Sequence, residues 1–193
     1  MRNNKAPCPD GYTPLFFKKT WDIIGHDVFL AVSEFFLSSW MSTGLNSTFI
    51  VLIPMSDQPI SVANFWPISL CNILYKVITK VLAIWIRPYL PYVISDEQAA
   101  FVPERLLHDN VFIAHDILKH YDWKNISPRM CLKIDLHKTF DSTSWDFLKL
   151  ALEDVGLPSP FISLVMECVT TPYFLILVNG VPFGYFPGKH GIR

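Results

Sequence analysis

The sequence predicts an α/β fold in which helices pack on a small antiparallel sheet. Three observations predict it: apolar residues recur at helical spacing from Thr20 to about Trp40, side chains alternate from Met130 to Asp135, and Asn179-Gly180 joins two apolar runs. The 193-residue chain is 51% hydrophobic and 17% charged, so it can form a core. Its length fits one compact domain or a part of one.

The first two elements are a helix and a short strand. In the helix, Ile24, Val28 and Phe35 lie on one face. The strand is the apolar run from Phe49 to Ile53, which Pro54 ends. A stretch of Ser, Asp, Pro and Asn residues follows and predicts a loop.

A second helix is expected from Leu74 to Trp85, and Pro88 closes it. Lys76, Lys80 and Arg87 fall within about 40° of one another on its wheel. Such a basic stripe could follow nucleic-acid phosphates, which require cations but no sequence-specific geometry. A solvated outer face is the alternative, and the sequence leaves both open.

The central part of the chain carries two capping boxes and a third helix. Ser95 with Gln98 forms one box, and the helix is predicted from about Asn110 to Tyr121. Thr143 with Asp146 forms the second box, in front of an apolar stripe of helical spacing.

A β-hairpin is the last predicted feature. Its strands are Tyr173 to Val178 and Val181 to Phe186. Asn179-Gly180 between them favours a type I′ turn, because both central positions of that turn need φ > 0.

One predicted strand ends in an acid. Between Met130 and Asp135, alternation places Asp135 on the face opposite Ile134. A carboxylate at a strand end that faces a cleft suits Mg²⁺, which takes oxygen ligands. An ordinary surface aspartate is the alternative, since two-metal chemistry needs several carboxylates.

Composition and motifs exclude several classes. Lys and Arg number 16 against 17 Asp and Glu, so the chain lacks an overall basic field. The four cysteines, Cys8, Cys71, Cys131 and Cys168, are far apart, which argues against a zinc site or a disulfide framework. A reducing compartment fits this cysteine usage best, and the choice between cytoplasm and nucleus stays open. No spanning segment, signal peptide, dinucleotide fingerprint, P-loop or nucleophile elbow is recognised.

Five strings carry a family resemblance: KAPCPDGYTPLFFKKTWDIIG at 5–25, FIVLIPMSDQPISVANFWPISLCNILYKVITKVLA at 49–83, ISDEQAAFVPERLLHDNVFIAHDIL at 94–118, CLKIDLHKTFDSTSWDFL at 131–148, and LVNGVPFGYFPGKHGIR at 177–193. In this order they resemble the reverse transcriptase of LINE-type non-LTR retrotransposons, especially the plant kind. The resemblance implies an RNA-directed DNA polymerase, and specifically the fingers and a partial palm of a right-hand polymerase.

The resemblance also implies roles for single residues. Asp135 matches the aspartate of the D-x-x-x-x-[FY]-D motif that ligates both catalytic Mg²⁺ ions, with the backbone carbonyl of Leu136 as a further ligand. Phe140 matches the steric gate, whose ring would clash with a 2′-hydroxyl; a core aromatic is the alternative. For Asp141 a local turn or capping role is expected. The implied reaction is attack of a DNA primer 3′-hydroxyl on a dNTP α-phosphate, with RNA as template.

Four positions depart from the family pattern. Met55 stands where the family usually has Lys, and Trp66 where it has Arg, so weaker triphosphate binding is expected. Cys8 and Glu104 stand where Gly is usual, which restricts the backbone. Glu104 also places a negative charge beside Arg105, which is expected near the template path as a nucleic-acid-binding residue.

These features together predict a single partial reverse transcriptase domain over 1–193, with about 1–125 fingers-like and about 126–193 belonging to the palm. No Asp-Asp pair is present, and the family's Tyr-x-Asp-Asp hairpin is missing. The Mg²⁺ site is therefore expected to be incomplete and the chain by itself to have little or no polymerase activity.

Two other classes stay open, and neither needs catalysis. One is a non-catalytic nucleic-acid-binding or protein-interaction remnant. The other is a fragment whose bare apolar surface associates with lipid or other chains, although no membrane partner is expected. The oligomeric state stays open as well.

Overall fold

The computed structural model describes residues 8–119, 130–136 and 138–192. Its helices, in chain order, are α1 (Pro14–Lys19), α2 (Trp21–Ser38), α3 (Ile73–Ile86), α4 (Leu90–Val93), α5 (Leu107–Leu118), α6 (Thr139–Ser142), α7 (Trp145–Asp154) and α8 (Ser159–Thr170). Its strands are β1 (Ser47–Pro54), β2 (Phe65–Cys71), β3 (Tyr173–Val178) and β4 (Val181–Pro187). The described parts of 1–81 and 138–193 form one compact unit, and those of 82–137 form another.

The strands form a four-stranded sheet in the order β2-β1-β3-β4. β1 pairs antiparallel with β2, and β3 pairs antiparallel with β4, whereas β1 and β3 run parallel. The predicted α/β fold with a small sheet is thus confirmed, and the sheet is mixed because two hairpins meet through a parallel pair. A parallel pair requires a long connection, which here contains helices.

The helices with regular apolar spacing agree best with the prediction. α2 and α3 lie where the sequence predicts them, and α5 begins earlier, at Leu107. The sequence does not predict β2 or α8, and in β2 Pro67 interrupts the strand pattern. Pro is tolerated there because β2 is an edge strand.

The two predicted capping boxes are not formed. Ser95 and Gln98 close a turn, with the Gln98 amide donating to the Ser95 carbonyl at 3.1 Å, and no helix begins there. Ser144 caps α7, and its hydroxyl accepts from the Phe147 amide at 3.4 Å. The Thr143 hydroxyl instead donates to the carbonyl of the first residue of α6.

The hairpin of β3 and β4 is confirmed. Asn179 and Gly180 have φ of 52° and 81°, which is the left-handed pair that the type I′ turn requires. Further along β4, Gly184 has φ of 70°, and the register shifts between Phe174 and Ile176. This irregularity is typical of a β-bulge.

The core of the sheet-bearing unit lies between helices and sheet. Ile78 of α3 is completely buried, and Phe35 of α2 and Ile162 of α8 are nearly so. Asn72 is one of the buried polar residues of this core. Its side-chain amide donates to two carbonyls before β1, and its oxygen accepts from the Asp10 amide at 3.2 Å. Asn72 therefore connects the segment around Asp10 to the junction of β2 and α3.

No helix in 8–119, 130–136 or 138–192 combines the length and the apolar character that a bilayer crossing needs. The predicted boundary between fingers and palm, near residue 125, lies outside the described residues and stays a prediction.

Candidate functional site

The segment that carries Asp135 is an exposed stretch without regular structure. Residues 130–136 form no strand, and Leu132 and Ile134 are 72% and 74% exposed. The predicted strand from Met130 to Asp135 is therefore wrong. Alternation of side chains alone does not specify a strand, because a strand also needs pairing with a neighbour.

The oxygen atoms of Asp135 and Leu136 match Mg²⁺ in kind but not in number. A carboxylate and a carbonyl are the hard ligands that Mg²⁺ prefers. Two ions about 4 Å apart need several carboxylates. Within the described part of the chain, no three His, Cys, Asp or Glu residues are grouped so that they could hold a metal ion.

Phe140 lies on the short helix α6, in the sheet-bearing unit. Lys138 precedes the helix with φ of 51°, and the Asp141 amide donates to its carbonyl at 3.0 Å. The ring of Phe140 is 60% exposed, so it is not a core aromatic. The N-cap of α6, Lys138, makes no side-chain hydrogen bond, whereas at the other end the Thr143 hydroxyl donates to the Thr139 carbonyl at 2.7 Å. A single turn of this kind also depends on contacts from outside.

Those contacts come from the far end of the described chain. The Gly191 amide donates to the Thr143 carbonyl at 2.8 Å, and the Ile192 amide donates to the Phe140 carbonyl at 2.7 Å. The indole N–H of Trp145 donates to the Gly191 carbonyl at 2.8 Å. We call residues 188–192 the docked segment. Sequence reasoning missed it, because backbone-to-backbone contacts leave no side-chain pattern.

A cleft of about 350 Å³ opens beside the docked segment. It is bordered by the sheet, α3, α8, α6 and α7 and mixes aromatic, aliphatic and titratable side chains: Ile50, Pro67, Ser69, Tyr75, Asp141, Trp145, Val169, Pro172, Phe174, His190, Gly191 and Ile192. Asp141, for which the sequence predicts a turn role, thus lies in the wall of this cleft.

The three residues of the predicted basic stripe have different surroundings. Lys76 is partly buried, and its ammonium group contacts the Cys8 sulfur at 3.6 Å. Burial raises the pKa of the Cys8 thiol, and the positive charge of Lys76 opposes that rise. Lys80 is exposed on α3, and Arg87 is exposed just after the helix ends. Lys80 and Arg87 therefore have accessible charges, whereas Lys76 also has a structural contact.

Arg105 is mainly a structural residue. Its guanidinium donates to four backbone carbonyls, those of Pro91, Ile94, Ser95 and Gln98. It also pairs with the Asp96 carboxylate at 3.2 Å, and its side chain is only 16% accessible. Arg105 thereby closes the loop between α4 and α5.

Glu104, next to Arg105, has φ of 65°. A side chain in this left-handed region is strained, and glycine would not be. The expectation that Glu104 occupies a glycine position is consistent with this backbone angle.

The two positions where the resemblance leads us to expect cations, Met55 and Trp66, lie at one end of the β1–β2 hairpin. Trp66 pairs with Ile53, and the Met55 amide donates to the Asn64 carbonyl at 2.9 Å. Both Met55 and Trp66 are exposed. This end of the hairpin therefore presents apolar side chains, with Asp57 close by in sequence, where an anionic ligand would need positive charge.

Comparison with known proteins gives one family and one relative. Residues 56–188, more than half of the chain, match the family described as reverse transcriptase (RNA-dependent DNA polymerase). The transposon TX1 uncharacterized 149 kDa protein of Xenopus laevis is 27% identical over 179 residues, which cover 93% of this chain and 14% of that protein. The chain thus spans about a seventh of the length of this relative.

Proposed function

The chain belongs to the reverse transcriptase (RNA-dependent DNA polymerase) family, and from this premise we propose that it forms the fingers and part of the palm of a LINE-type non-LTR retrotransposon enzyme. The family match over 56–188 carries the proposal, because this range contains the whole D-x-x-x-x-F-D motif. The similarity to a transposon protein supports the retrotransposon part. The expected similarity to plant retrotransposons in particular stays a prediction.

The proposed roles at the motif follow from the chemistry of its side chains. Reverse transcriptases generally use divalent metal ions, which would lower the barrier to attack by a 3′-hydroxyl on a phosphate. Asp135 and the Leu136 carbonyl would contribute oxygen ligands. Phe140, exposed on α6, would lie against the sugar and exclude a 2′-hydroxyl.

The proposed nucleic-acid contacts are electrostatic. Lys80 and Arg87 are exposed and would neutralise phosphates of the RNA template or the DNA primer. We propose that Lys76 and Arg105 contribute less to phosphate binding than Lys80 and Arg87, because Lys76 contacts Cys8 and Arg105 closes its own loop. Arg105 would act mainly through the shape of that loop.

Polymerase activity of these 193 residues alone is expected to be absent or very low. Asp135 supplies one carboxylate, and two ions in register need several. Purified protein, Mg²⁺, dNTPs and a primed RNA template should give no primer extension above the level of an Asp135→Asn variant. Extension above that level by the unaltered protein would overturn this part of the proposal.

Nucleic-acid binding can be tested separately from synthesis. Binding of a primed RNA template should weaken as salt rises, and the slope of log affinity against log salt should fall by roughly 0.7 to 0.9 for each phosphate that a variant no longer neutralises. Lys80→Gln and Arg87→Gln should each reduce the slope. Lys19→Gln, an exposed lysine on α1, is the matched control and should leave the slope unchanged.

The outcomes distinguish the proposal from its alternative. If the slope of log affinity against log salt in all three variants equals that of the unaltered chain, a nucleic-acid role for Lys80 and Arg87 is contradicted. RNA binding that persists when dNTPs are neither bound nor incorporated would instead favour the alternative, a non-catalytic nucleic-acid-binding remnant.

A further inference from the structure

We propose that the docked segment is a clasp that positions Phe140, and that Trp145 and Gly191 are positioning residues for the choice between deoxyribose and ribose. The second half of this statement rests on the proposed function, in which Phe140 lies against the sugar. The clasp itself follows from contacts within the sheet-bearing unit.

The first argument concerns the weakness of α6 on its own. It has four residues, its N-cap lacks a side-chain hydrogen bond, and the side-chain bonds from the Ser142 and Thr143 hydroxyls to the Lys138 and Thr139 carbonyls are local. A helix this short does not repay the entropy of nucleation, so an isolated turn of this kind would not persist in water. We therefore expect the position of the Phe140 backbone to depend also on contacts from outside α6.

The docked segment supplies these contacts on both sides of the turn. The Ile192 amide binds the carbonyl of Phe140 itself, and the Gly191 amide binds the carbonyl of Thr143, just after α6. Two successive amides thus hold α6 at the gate residue and at its exit. A change in their position would move the Phe140 backbone directly.

Gly191 is needed at this contact for two reasons. Its φ is 82°, and a Cβ built on it would lie 2.7 Å from the Asp141 carbonyl oxygen and 3.0 Å from the Asp141 carbonyl carbon. The obstacle is backbone, which cannot swing aside as a side chain can. By contrast, Gly156 has φ of 76° but nothing within 4 Å of a built Cβ. Gly156 therefore resembles Gly191 in its φ angle, but no atom lies close to the position that a Cβ would occupy on Gly156.

Trp145 connects the two ends of the segment. Its indole N–H donates to the Gly191 carbonyl at 2.8 Å. Its ring also lies 3.5 Å from a Cβ built on Gly188, whose amide donates to the Pro172 carbonyl. The same side chain therefore binds the segment at Gly191 and lies near it at Gly188.

A steric gate needs this kind of support. Discrimination by a clash depends on holding the blocking group within about 0.5 Å of its position, and residues around the site must lock it there. Phe140 is 60% exposed, so side-chain packing covers less than half of its surface. In our proposal, the clasp supplies the remaining support through the backbone.

The test uses the whole chain with two variants and two matched controls. Trp145→Phe removes the indole donor but keeps an aromatic ring, and Gly191→Ala inserts the clashing Cβ. Trp40→Phe changes an exposed tryptophan, and Gly156→Ala changes a glycine of similar φ with free space. Amide hydrogen exchange is followed by NMR, and the affinities for dGTP and GTP are measured with Mg²⁺ and a primed RNA template.

The clasp predicts a paired result. Exchange of the Gly191 and Ile192 amides should accelerate roughly five-fold or more in Trp145→Phe, which corresponds to one weakened hydrogen bond. The preference for dGTP over GTP should fall by a similar factor, while total dGTP affinity changes less. Trp40→Phe should leave both quantities as in the unaltered chain. Gly156→Ala should leave the dGTP preference unchanged, and any acceleration of exchange in it should affect all slowly exchanging amides alike and not Gly191 and Ile192 in particular. If Gly191→Ala does not fold, Trp145→Phe decides alone.

Different results would contradict the clasp and the positioning role of Trp145 and Gly191. Faster exchange with an unchanged dGTP preference would show a merely structural role and overturn the positioning proposal. Unchanged exchange would overturn the clasp itself. If the unaltered chain binds neither nucleotide, or binds both equally, the proposed role of Phe140 is contradicted. The role of Trp145 and Gly191 in the choice of sugar is then contradicted as well.

Discussion

Asp135 and Phe140 belong to one short motif but lie in contrasting surroundings. The stretch around Asp135 has no regular structure, and its apolar side chains face solvent. The stretch around Phe140 is a helical turn that is bound through Gly191 and Ile192. Five residues along the chain thus separate a segment without regular structure from a helical turn that is held by distant backbone.

The motif therefore has no regular structure of its own along its whole length. Each half adopts the structure that its partners impose, because a strand needs a neighbouring strand and a single helical turn needs external contacts. The turn has such contacts within the described residues. The stretch 130–136 shows no regular structure. Substitutions in the two halves should therefore have very different effects.

The largest effect is expected at Gly191. Gly191→Ala combines left-handed strain with a Cβ placed 2.7 Å from the Asp141 carbonyl oxygen, so the free energy of unfolding should fall by about 3 kcal/mol. Gly156→Ala carries only the strain and should lose about 1 kcal/mol. Urea unfolding followed by circular dichroism measures both. Equal losses would show that the contact with Asp141 is absent in solution.

A smaller but still clear effect is expected at Arg105. Arg105→Gln leaves carbonyls of the loop between α4 and α5 without their donor, and the free energy of unfolding should fall by about 2 kcal/mol. Arg105→Lys should not restore it, because an ammonium group lacks the planar fork of the guanidinium. Urea unfolding measures the loss of stability, and amide hydrogen exchange over 91–98 shows whether the loss is located in this loop.

The matched control for Arg105 is its ionic partner. The Asp96 carboxylate is fully exposed, so Asp96→Asn should leave the stability nearly unchanged. A loss at Asp96 as large as that at Arg105 would mean that the ion pair, and not the set of carbonyl contacts, stabilises the loop.

The sequence predicts the elements whose causes are local. α2 and α3 follow from helical spacing, and the β3–β4 hairpin follows from Asn179-Gly180, whose turn needs two positive φ values. In these cases the residues that determine the structure lie inside the element. Prediction from the sequence therefore succeeds without knowledge of the rest of the chain.

The sequence does not predict the features whose causes are distant. Alternation around Asp135 predicts a strand, but pairing depends on a neighbour that the pattern does not contain. The contacts of the Arg105 guanidinium with carbonyls seven to fourteen residues away leave no pattern in the sequence. Gly191 carries no signal, since its role depends on the distance to Asp141. Such contacts are visible only in three dimensions.

A pH-dependent effect is expected at Cys8. Burial raises the pKa of its thiol above the ordinary value of 9.0, more than Lys76 lowers it. The unfolded chain therefore loses the thiol proton at lower pH than the folded chain. As a result, the contribution of Cys8 to the free energy of unfolding is intact below pH 9 and declines as pH rises through the pKa of the folded chain. Urea midpoints at increasing pH should fall more steeply for the unaltered chain than for Cys8→Ala. Parallel curves would contradict burial of the thiol.

The smallest effect on stability is expected where the motif begins. Leu132 is 72% exposed and Asp135 is exposed as well, so Leu132→Ser and Asp135→Asn should each change the free energy of unfolding by less than about 0.5 kcal/mol. Urea unfolding under the conditions used for Gly191→Ala makes the comparison direct. A loss above about 1 kcal/mol at Leu132 would mean that this stretch is packed in solution. The contrast between the two halves of the motif would then disappear, because both would depend on partners within this chain.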